Sequence, residues 1–333
     1  MISIYRKLKQ RVVNSLILLT EDEYWKSHDK LAVVQAQILS ELFRKKQKIN
    51  DLSEIEFSVY SQWGEDGIID WLLNHLDNIP STFVEFGVEN YREANTRCLV
   101  TMRNWKGLII DGSTISIEYI QSQQLYWKHS IKAVQCFITA GNIQDTIHDN
   151  GFSGNVGVLS IDIDGNDYWV WKAIDCINPV IVICEYNAVF GDLYSITVPY
   201  NPEFRRNIAH SSNLYFGASI KALQELANEK GYTFIGTNRN GVNAFFVRND
   251  AVKAIVSNIK YVTAYPSLTR EARDEAGNLT YKDGQDRLRI IQNMPIYDLS
   301  TGKVVSISCL GELSSSEWLA GKPTFSLFDH NTK

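Results

Sequence analysis

Short apolar runs that alternate with segments of helical length constrain the fold of this chain most strongly. Five such runs, rich in β-branched residues, predict strands at 83–88, 107–111, 133–137, 156–162 and 180–185. Near-continuous apolar strands separated by helices are typical of a parallel sheet that is covered on both faces. The middle of the chain therefore predicts an α/β core.

The pattern changes after the fifth strand. A helix is predicted over 214–230, and strands at 232–235 and 243–247 flank a turn with the sequence Asn-Arg-Asn-Gly. Two strands around such a turn form an antiparallel hairpin. Five parallel strands that end in an antiparallel hairpin form the mostly parallel, seven-stranded, Rossmann-like sheet of class I methyltransferases. The sheet of a dehydrogenase Rossmann domain would instead continue with parallel strands.

Three regions are predicted from these patterns. Residues 1–56 form a helical N-terminal extension in which Leu31, Val34, Ile38 and Leu42 make an apolar stripe. Residues 57–250 form the Rossmann-like domain. Residues 251–333 begin with a helix and form a small, turn-rich C-terminal appendage or lid. A homodimer through the N-terminal helices is a further hypothesis.

Composition and charge favour a globular protein and disfavour nucleic acid as a substrate. With 44% hydrophobic residues and a net charge of -5, the chain predicts a globular protein without the basic face of a nucleic-acid binder. The five cysteines are scattered and predict free thiols in a reducing, cytoplasmic compartment.

The basic and apolar segment 6–19 has no cleavage site after it and is too short to span a membrane. A helix packed on the domain is therefore expected, with peripheral membrane contact as the alternative.

Polar residues follow the first two strands at the edge where open α/β sheets bind ligands. Glu85 and Gly87 end the first strand, and Asp111 ends the second strand at a spacing typical of adenosine sites. The glycine-rich loop that binds a pyrophosphate is absent, and Glu89 would repel phosphates there. These residues predict an adenosine cofactor without phosphates, whereas Glu85 and Gly87 alone fit an ordinary tight turn equally well.

Acidic residues also follow the fourth and fifth strands. Asp162 and Asp164 are predicted on the same side of an extended segment, where their carboxylates converge on a cation or a substrate proton. Glu185 and Asn187 end the fifth strand and, together with Asp162, suit an optional Mg²⁺. The alternatives are a local turn and helix cap built around Asp164, and a Glu185 that only bonds nearby backbone. His210, in the following loop, is a candidate general base or a packing residue.

Several of these segments resemble the FkbM-like methyltransferases over roughly residues 60–248. The motifs that carry the resemblance are YSQWGEDGII, FVEFGVEN with Asn95-Thr96, IDIDGND, EYNAVFG and ITVPYNP. The resemblance implies that S-adenosylmethionine is the methyl donor and that a hydroxyl of a sugar or polyketide is the acceptor. The implied donor-binding residues are Gln62, Glu85, Gly87, Asp111 and Asp162, and the implied acceptor-facing residues are Asp164, Glu185, Asn187 and His210. Glu89 departs from the family pattern, which has glycine at this position.

The leading hypothesis is O-methyl transfer from S-adenosylmethionine to a surface-polysaccharide precursor, with Asp164 and His210 as catalytic residues. One alternative is a metal-dependent transferase that uses a nucleotide-sugar and binds it through the Asp-x-Asp motif at 162–164. A second alternative is an inactive scaffold with a methyltransferase fold, which the departure at Glu89 permits.

Overall fold

The computed structural model describes residues 30–327. The strands of this part of the chain are Thr82–Phe86 (β1), Lys106–Asp111 (β2), Ile131–Gln135 (β3), Gly154–Ile161 (β4), Ile177–Glu185 (β5), Ile196–Thr197 (β6), Tyr232–Thr237 (β7), Asn243–Arg248 (β8), Tyr261–Ala264 (β9), Pro295–Asp298 (β10), Lys303–Ser306 (β11) and Thr324–Leu327 (β12).

The helices connect these strands and cover the sheet. They are 30–44 (α1), Glu65–His75 (α2), Arg97–Arg103 (α3), Thr114–Ser122 (α4), Gln124–Lys128 (α5), Ile143–Asp149 (α6), Asp167–Ala173 (α7), Arg206–Ala209 (α8), Ile220–Glu229 (α9), Gly284–Ile291 (α10) and Ser316–Leu319 (α11). Short 3-10 helices lie at Leu52–Ile55, Ala188–Phe190, Val252–Ala254 and Ile307–Cys309.

The central sheet has seven strands in the order β3-β2-β1-β4-β5-β8-β7. Strands β1 to β5 pair in parallel, and β8 runs antiparallel to both β5 and β7. This order confirms the predicted class I methyltransferase sheet. The strand order reverses between β1 and β4, and ligands of open α/β sheets bind at the carboxyl ends of the strands that flank such a reversal.

Both faces of the sheet are buried, as the apolar strands predict. Ile181 and Phe245 belong to the apolar layer that contains Trp71 of α2. Their neighbours Val182 and Phe246 belong to the layer on the opposite face. Successive side chains of a strand point to opposite faces, so each strand supplies both layers.

Two predicted helices differ from the observed elements. The helix predicted over 214–230 begins only at Ile220, because the Ser219 side chain caps it by accepting a hydrogen bond from the backbone N–H of Ala222. Ala218, just before it, forms a strand-like bridge with Thr197. The helix predicted after residue 250 is the short 3-10 turn Val252–Ala254, which leads into β9.

The predicted apolar stripe of α1 faces outward. Leu31, Val34, Ile38 and Leu42 are each more than half exposed, whereas the small side chain of Ala36 is buried. Segment 6–19, and with it the membrane-contact hypothesis, lies outside the described residues, and the homodimer through the N-terminal helices stays a prediction. Within residues 30–327, no helix combines the length and the apolar character that crossing a membrane requires.

The chain after β8 packs against the core. Strand β10 pairs with β6, and β12 pairs with β9. A third apolar cluster joins Phe190 and Leu214 to Ile296 and Leu313. The region boundaries at 56 and 250 stay predictions.

Candidate active site

A cavity of about 380 Å³ lies at the carboxyl ends of β1, β4 and β5. Among the predicted site residues, Gln62, Glu85, Gly87, Asp162, Asp164, Glu185 and Asn187 line this cavity, and Asp111 and His210 do not. Part of its wall comes from the C-terminal region, through Ser267, Thr269, Glu271 and Arg287. The structure therefore brings most of the predicted site residues together.

Glu85 organises the loop that follows β1. Its carboxylate accepts hydrogen bonds from the backbone N–H groups of Asn95, at 2.9 Å, and Thr96, at 3.1 Å, and from the Thr96 hydroxyl. Burial raises the pKa of Glu85 to about 7, and the hydrogen bonds from Thr96 and Asn95 oppose that rise. The same side chain lines the cavity, so it shapes the loop and borders the site.

Gly87 brings the end of β1 against the end of β4. Its φ is +79°, and a Cβ atom placed there would lie 1.4 Å from the Asp162 carbonyl oxygen. Any other residue would push the two strand ends apart. The glycine that the sequence marks as a candidate for cofactor approach is thus also needed for strand packing.

Asp111 ends β2 beside this loop. Its two carboxylate oxygens accept hydrogen bonds from the backbone N–H groups of Glu89, at 2.8 Å, and Ser113, at 2.7 Å. A carboxylate has about four acceptor positions, so about two stay open for hydroxyl groups such as those of a ribose. The departure at Glu89 is accommodated, since Glu89 adopts a left-handed conformation with φ of 48° and donates its N–H to Asp111.

Asp167 closes the turn that follows β4. Its carboxylate accepts hydrogen bonds from the backbone N–H groups of Ile163, at 2.8 Å, and Gly165, at 2.9 Å. The alternative prediction gave this local task to Asp164, which instead contacts the cavity. Because Asp167 holds the turn, Asp162 and Asp164 are free to face the cavity together.

Three carboxylates form a cluster in the cavity wall. One oxygen each from Asp162, Asp164 and Glu185 lies within 4.8 Å of the others. Burial, followed by the charges of Asp164 and Asp167, raises the pKa of Asp162 well above its usual range. Burial and the charge of Asp162 also raise the pKa of Glu185 well above its usual range. The three carboxylates therefore disfavour one another's ionised forms, so Asp162 and Glu185 hold protons more tightly than ordinary carboxyls when no cation is bound.

Arg206 contacts this cluster from α8. Its guanidinium forms ion pairs with Asp164, at 2.5 Å, and Glu271, at 3.1 Å. It also lies 3.7 Å from the ring centroid of Phe216. The negative charge of Glu185 and Asp164 raises the pKa of Arg206 further, although burial opposes this. Sequence analysis missed Arg206, since no motif connects it with Asp164, 42 positions earlier.

Asn187 and His210 are occupied by local contacts. The Asn187 amide donates to the carbonyls of Leu214 and Phe216 and accepts from the N–H of Val189, so it fixes the chain after β5. The His210 ring contacts the Ser212 hydroxyl at 2.8 Å, and burial lowers the pKa of His210. Their predicted roles as metal ligand and general base stay predictions, and their contacts give those roles no support.

Other cavity residues were also missed by sequence analysis: Glu93, Asn243, Glu271 and Arg287. The Oδ1 atom of Asn243 is buried without a hydrogen-bond partner among the described residues. Asn243 pairs with Glu185 in the register of β5 and β8. A signal for Asn243 existed in the predicted hairpin, whose second strand begins at this residue.

Comparison with known proteins gives fold similarity only. No protein-family model matches the chain, and no curated protein matches it. Similar solved structures include the small RNA methyltransferase HEN1, with 13% identity, a TM-score of 0.34, and coverage of 54% of this chain and 24% of that chain. The CMeT domain of citrinin polyketide synthase has 11% identity and a TM-score of 0.38, over 55% of this chain and 51% of that chain.

A third similar structure is the N-terminal domain of EvdMO1 with SAH bound. It has 8% identity and a TM-score of 0.37, over 66% of this chain and 94% of that chain. The chain thus spans 24% of the HEN1 structure and 51% of the CMeT domain.

Proposed function

We propose that this chain is an S-adenosylmethionine-dependent O-methyltransferase that acts on a hydroxyl of a sugar or surface-polysaccharide precursor. One observation carries the proposal. Glu85, Asp162 and Glu185, from the ends of β1, β4 and β5, border one cavity at the strand-order reversal of a sheet with the methyltransferase order. Ligands of open α/β sheets bind at this position.

The donor side fits a cationic cofactor without phosphates. S-adenosylmethionine supplies a methyl group on a positively charged sulfur. Asp111 keeps acceptor capacity for ribose hydroxyls, and Gly87, Glu85 and Gln62 border the adjoining cavity. Negative charge in the wall favours the cation and, near Glu89, disfavours a diphosphate.

The acceptor side fits a group with several hydroxyls, because carboxylates accept the hydrogen bonds that hydroxyls donate. In the proposed step the acceptor oxygen forms a bond to the methyl carbon while the carbon–sulfur bond breaks, and its electron pair stays on sulfur. The hydroxyl proton passes to Asp164, whose side chain is 56% exposed. Positioning of the acceptor hydroxyl and its deprotonation supply most of the rate acceleration, so the step does not require Mg²⁺.

The alternative transferase would use the carboxylates of Asp162 and Asp164 to hold a metal-bound diphosphate. Their convergence in the cavity favours this second candidate specifically. It predicts tight binding of a nucleotide diphosphate-sugar with Mn²⁺ and no binding of S-adenosylhomocysteine. An inactive scaffold predicts binding of S-adenosylhomocysteine without methyl transfer to any acceptor.

Calorimetric titration with S-adenosylhomocysteine tests the proposal. Wild-type protein is expected to bind with a stoichiometry of one, and Asp111→Ala to lose about 10- to 100-fold in affinity, since charge-assisted hydrogen bonds contribute about 1.5–3 kcal/mol. Asp111→Asn, which keeps the side-chain shape, should lose less. Asp149→Ala removes an exposed carboxylate away from the cavity and should bind like wild type.

Thermal unfolding of each variant shows whether it is folded. Absence of S-adenosylhomocysteine binding by folded wild-type protein would overturn the methyltransferase proposal. Equal affinity of Asp111→Ala and Asp149→Ala for S-adenosylhomocysteine would place the donor site away from β2.

A further inference from the structure

The carboxylate cluster has the composition and size of a cation site. We propose that Asp162, Asp164 and Glu185 bind one divalent cation of the Mg²⁺ and Mn²⁺ class, and that Arg206 is the counter-ion which this cation displaces from Asp164. Cation binding is independent of the proposed function. Its catalytic consequence, activation of the acceptor hydroxyl, rests on that function.

The distances suit a single ion. Mg²⁺ binds oxygen ligands at about 2.0–2.1 Å, so two ligands of one Mg²⁺ ion lie at most about 4 Å apart, and the wider Ca²⁺ shell allows about 5 Å. One oxygen each of Asp162, Asp164 and Glu185 lies within 4.8 Å of the others, so the three side chains close in by less than about 1 Å to bind Mg²⁺. The second oxygen of Asp164 would still be available to accept the acceptor's proton.

Two buried oxygen atoms point to a ligand, one in the cluster itself and one on Asn243, which is the register partner of Glu185 and lies outside the cluster. The Oε2 atom of Glu185 and the Oδ1 atom of Asn243 have no hydrogen-bond partner among the described residues. Glu185 is 8% exposed and Asn243 is 5% exposed, and both line the cavity. Leaving such acceptors unsatisfied is costly. The Oδ1 atom of Asn243 can only accept hydrogen bonds, so its missing partner is a cation or a hydrogen-bond donor. The Oε2 atom of Glu185 has the same requirement when its carboxyl group is ionised.

Side-chain cations neutralise only part of the cluster. Arg206 forms an ion pair with Asp164, and within residues 30–327 neither Asp162 nor Glu185 has a basic group at ion-pair distance. The other contacts of Arg206 hold it in place without the cluster: Glu271 at 3.1 Å, the Asn213 carbonyl at 2.6 Å and the Phe216 ring. Arg206 can therefore release Asp164 and remain bound to its own wall of the cavity.

The proposed ligand set keeps Asp162 and Glu185 of the Mg²⁺ site that the sequence predicted and adds Asp164, which the sequence placed beside Asp162 toward a cation or a substrate proton. The Asn187 amide already bonds three backbone groups, and Asp164 takes its place beside Asp162 and Glu185. A hard divalent cation prefers carboxylate oxygens, and three ionised carboxylates carry more negative charge than the single guanidinium of Arg206 can neutralise. Arg206 and the cation should therefore compete for Asp164.

Competition predicts that variants of Arg206 and of the carboxylates change Mn²⁺ affinity in opposite directions. Mn²⁺ is titrated into the full chain without donor, and the electron paramagnetic resonance signal of free Mn²⁺ reports how much is bound. Wild-type protein should bind one Mn²⁺ that Mg²⁺ displaces. Asp164→Asn and Glu185→Gln should each weaken binding by at least about 10- to 100-fold, which is the loss typical of a group that only hydrogen-bonds to a metal ligand. Arg206→Gln should tighten it by about tenfold, because a nearby positive charge is removed.

Asp149→Asn is the matched control, since Asp149 is an exposed carboxylate that does not line the cavity and should leave Mn²⁺ affinity unchanged. Thermal unfolding confirms that each variant is folded. No saturable Mn²⁺ binding by wild type would overturn the site, and weaker binding by Arg206→Gln would overturn the competition.

Titration with S-adenosylhomocysteine in the presence of a chelator separates the two proposals. Donor binding without Mn²⁺ binding would overturn the cation site and leave methyl transfer standing. Mn²⁺ binding without donor binding would support the cation site and remove its assigned role in methyl transfer.

Discussion

Glu56 is one of the partly or fully buried carboxylates away from the cluster that link the stability of this protein to pH. Burial raises the pKa of Glu56 to about 7, a hydrogen bond from the Arg239 N–H opposes the rise, and the charge of Glu65 adds to it. The Glu56 Oε1 atom accepts the Arg239 bond at 2.5 Å. Because the folded state binds this proton more tightly than the unfolded chain, ionisation of Glu56 favours unfolding.

Glu56→Gln is therefore expected to change the pH dependence of stability. The stability contributed by protonated Glu56 is fully present below the ordinary pKa of 4.5 and is lost as pH rises to about 7. The variant keeps the oxygen that accepts from Arg239 and cannot ionise. Its melting temperature should match that of wild type near pH 4.5 and exceed it above pH 7. A difference in melting temperature between variant and wild type that stays constant across this pH range would contradict the prediction.

Sequence reasoning located most of the candidate site because strand ends are visible in the pattern. Asp162 and Glu185 follow apolar runs, and parallel strands bring their carboxyl ends to one edge. Arg206 could not be found in this way, since its position depends on how a loop folds back. The local role of Asp167 depends on backbone geometry, and no property of the residue type distinguishes it from Asp164.

At the scale of the elements, β1 and β2 pack with little space between them. Phe83 and Gly107 are register partners. A Cβ atom at Gly107 would lie 2.0 Å from the Cζ atom of the Phe83 ring, which is fully buried. The ring therefore covers the glycine, and the missing side chain is a packing requirement of these two strands.

Gly107→Ala should destabilise the protein by about 1–3 kcal/mol, as other overpacked core substitutions do. Combining it with Phe83→Leu should recover part of the loss, so that the double variant is more stable than the sum of the two single effects predicts. Urea unfolding of the four proteins measures the coupling. Gly141→Ala is the control, because a Cβ there meets only the Thr139 Oγ1 atom at 3.8 Å. Additive effects would show that the ring and the glycine do not interact.

The five parallel strands and the hairpin were predictable because each element has its own apolar pattern. The start of α9 could not be predicted in this way. Leu214 and Phe216 fit a helical pattern, but their carbonyls accept hydrogen bonds from the Asn187 amide. Gly217 also donates its N–H to the Gly165 carbonyl. Tertiary hydrogen bonds hold this segment outside the helix, and a local pattern contains no record of them.

At the scale of the whole molecule, the C-terminal region is part of the packed core. Trp318 of α11 is 6% exposed and belongs to the apolar layer that contains Trp171 and Phe246. Its indole N–H donates to the Ala188 carbonyl at 3.0 Å, close to the end of β5. The polar turns of this region conceal these contacts in the sequence, and the separate appendage stays a prediction.

Urea unfolding of the full chain distinguishes a single cooperative unit from a core with a separate appendage. We expect far-ultraviolet circular dichroism and tryptophan fluorescence to report one coincident transition. Trp318→Ala should lower the midpoint seen by both probes, with a loss of about 3–5 kcal/mol typical of a buried tryptophan. Trp127→Ala removes a 72% exposed ring and should change stability by less than about 0.5 kcal/mol. A Trp318→Ala midpoint that shifts in one probe only would mean that the C-terminal region unfolds by itself, and that the cavity can lose one wall while the sheet stays folded.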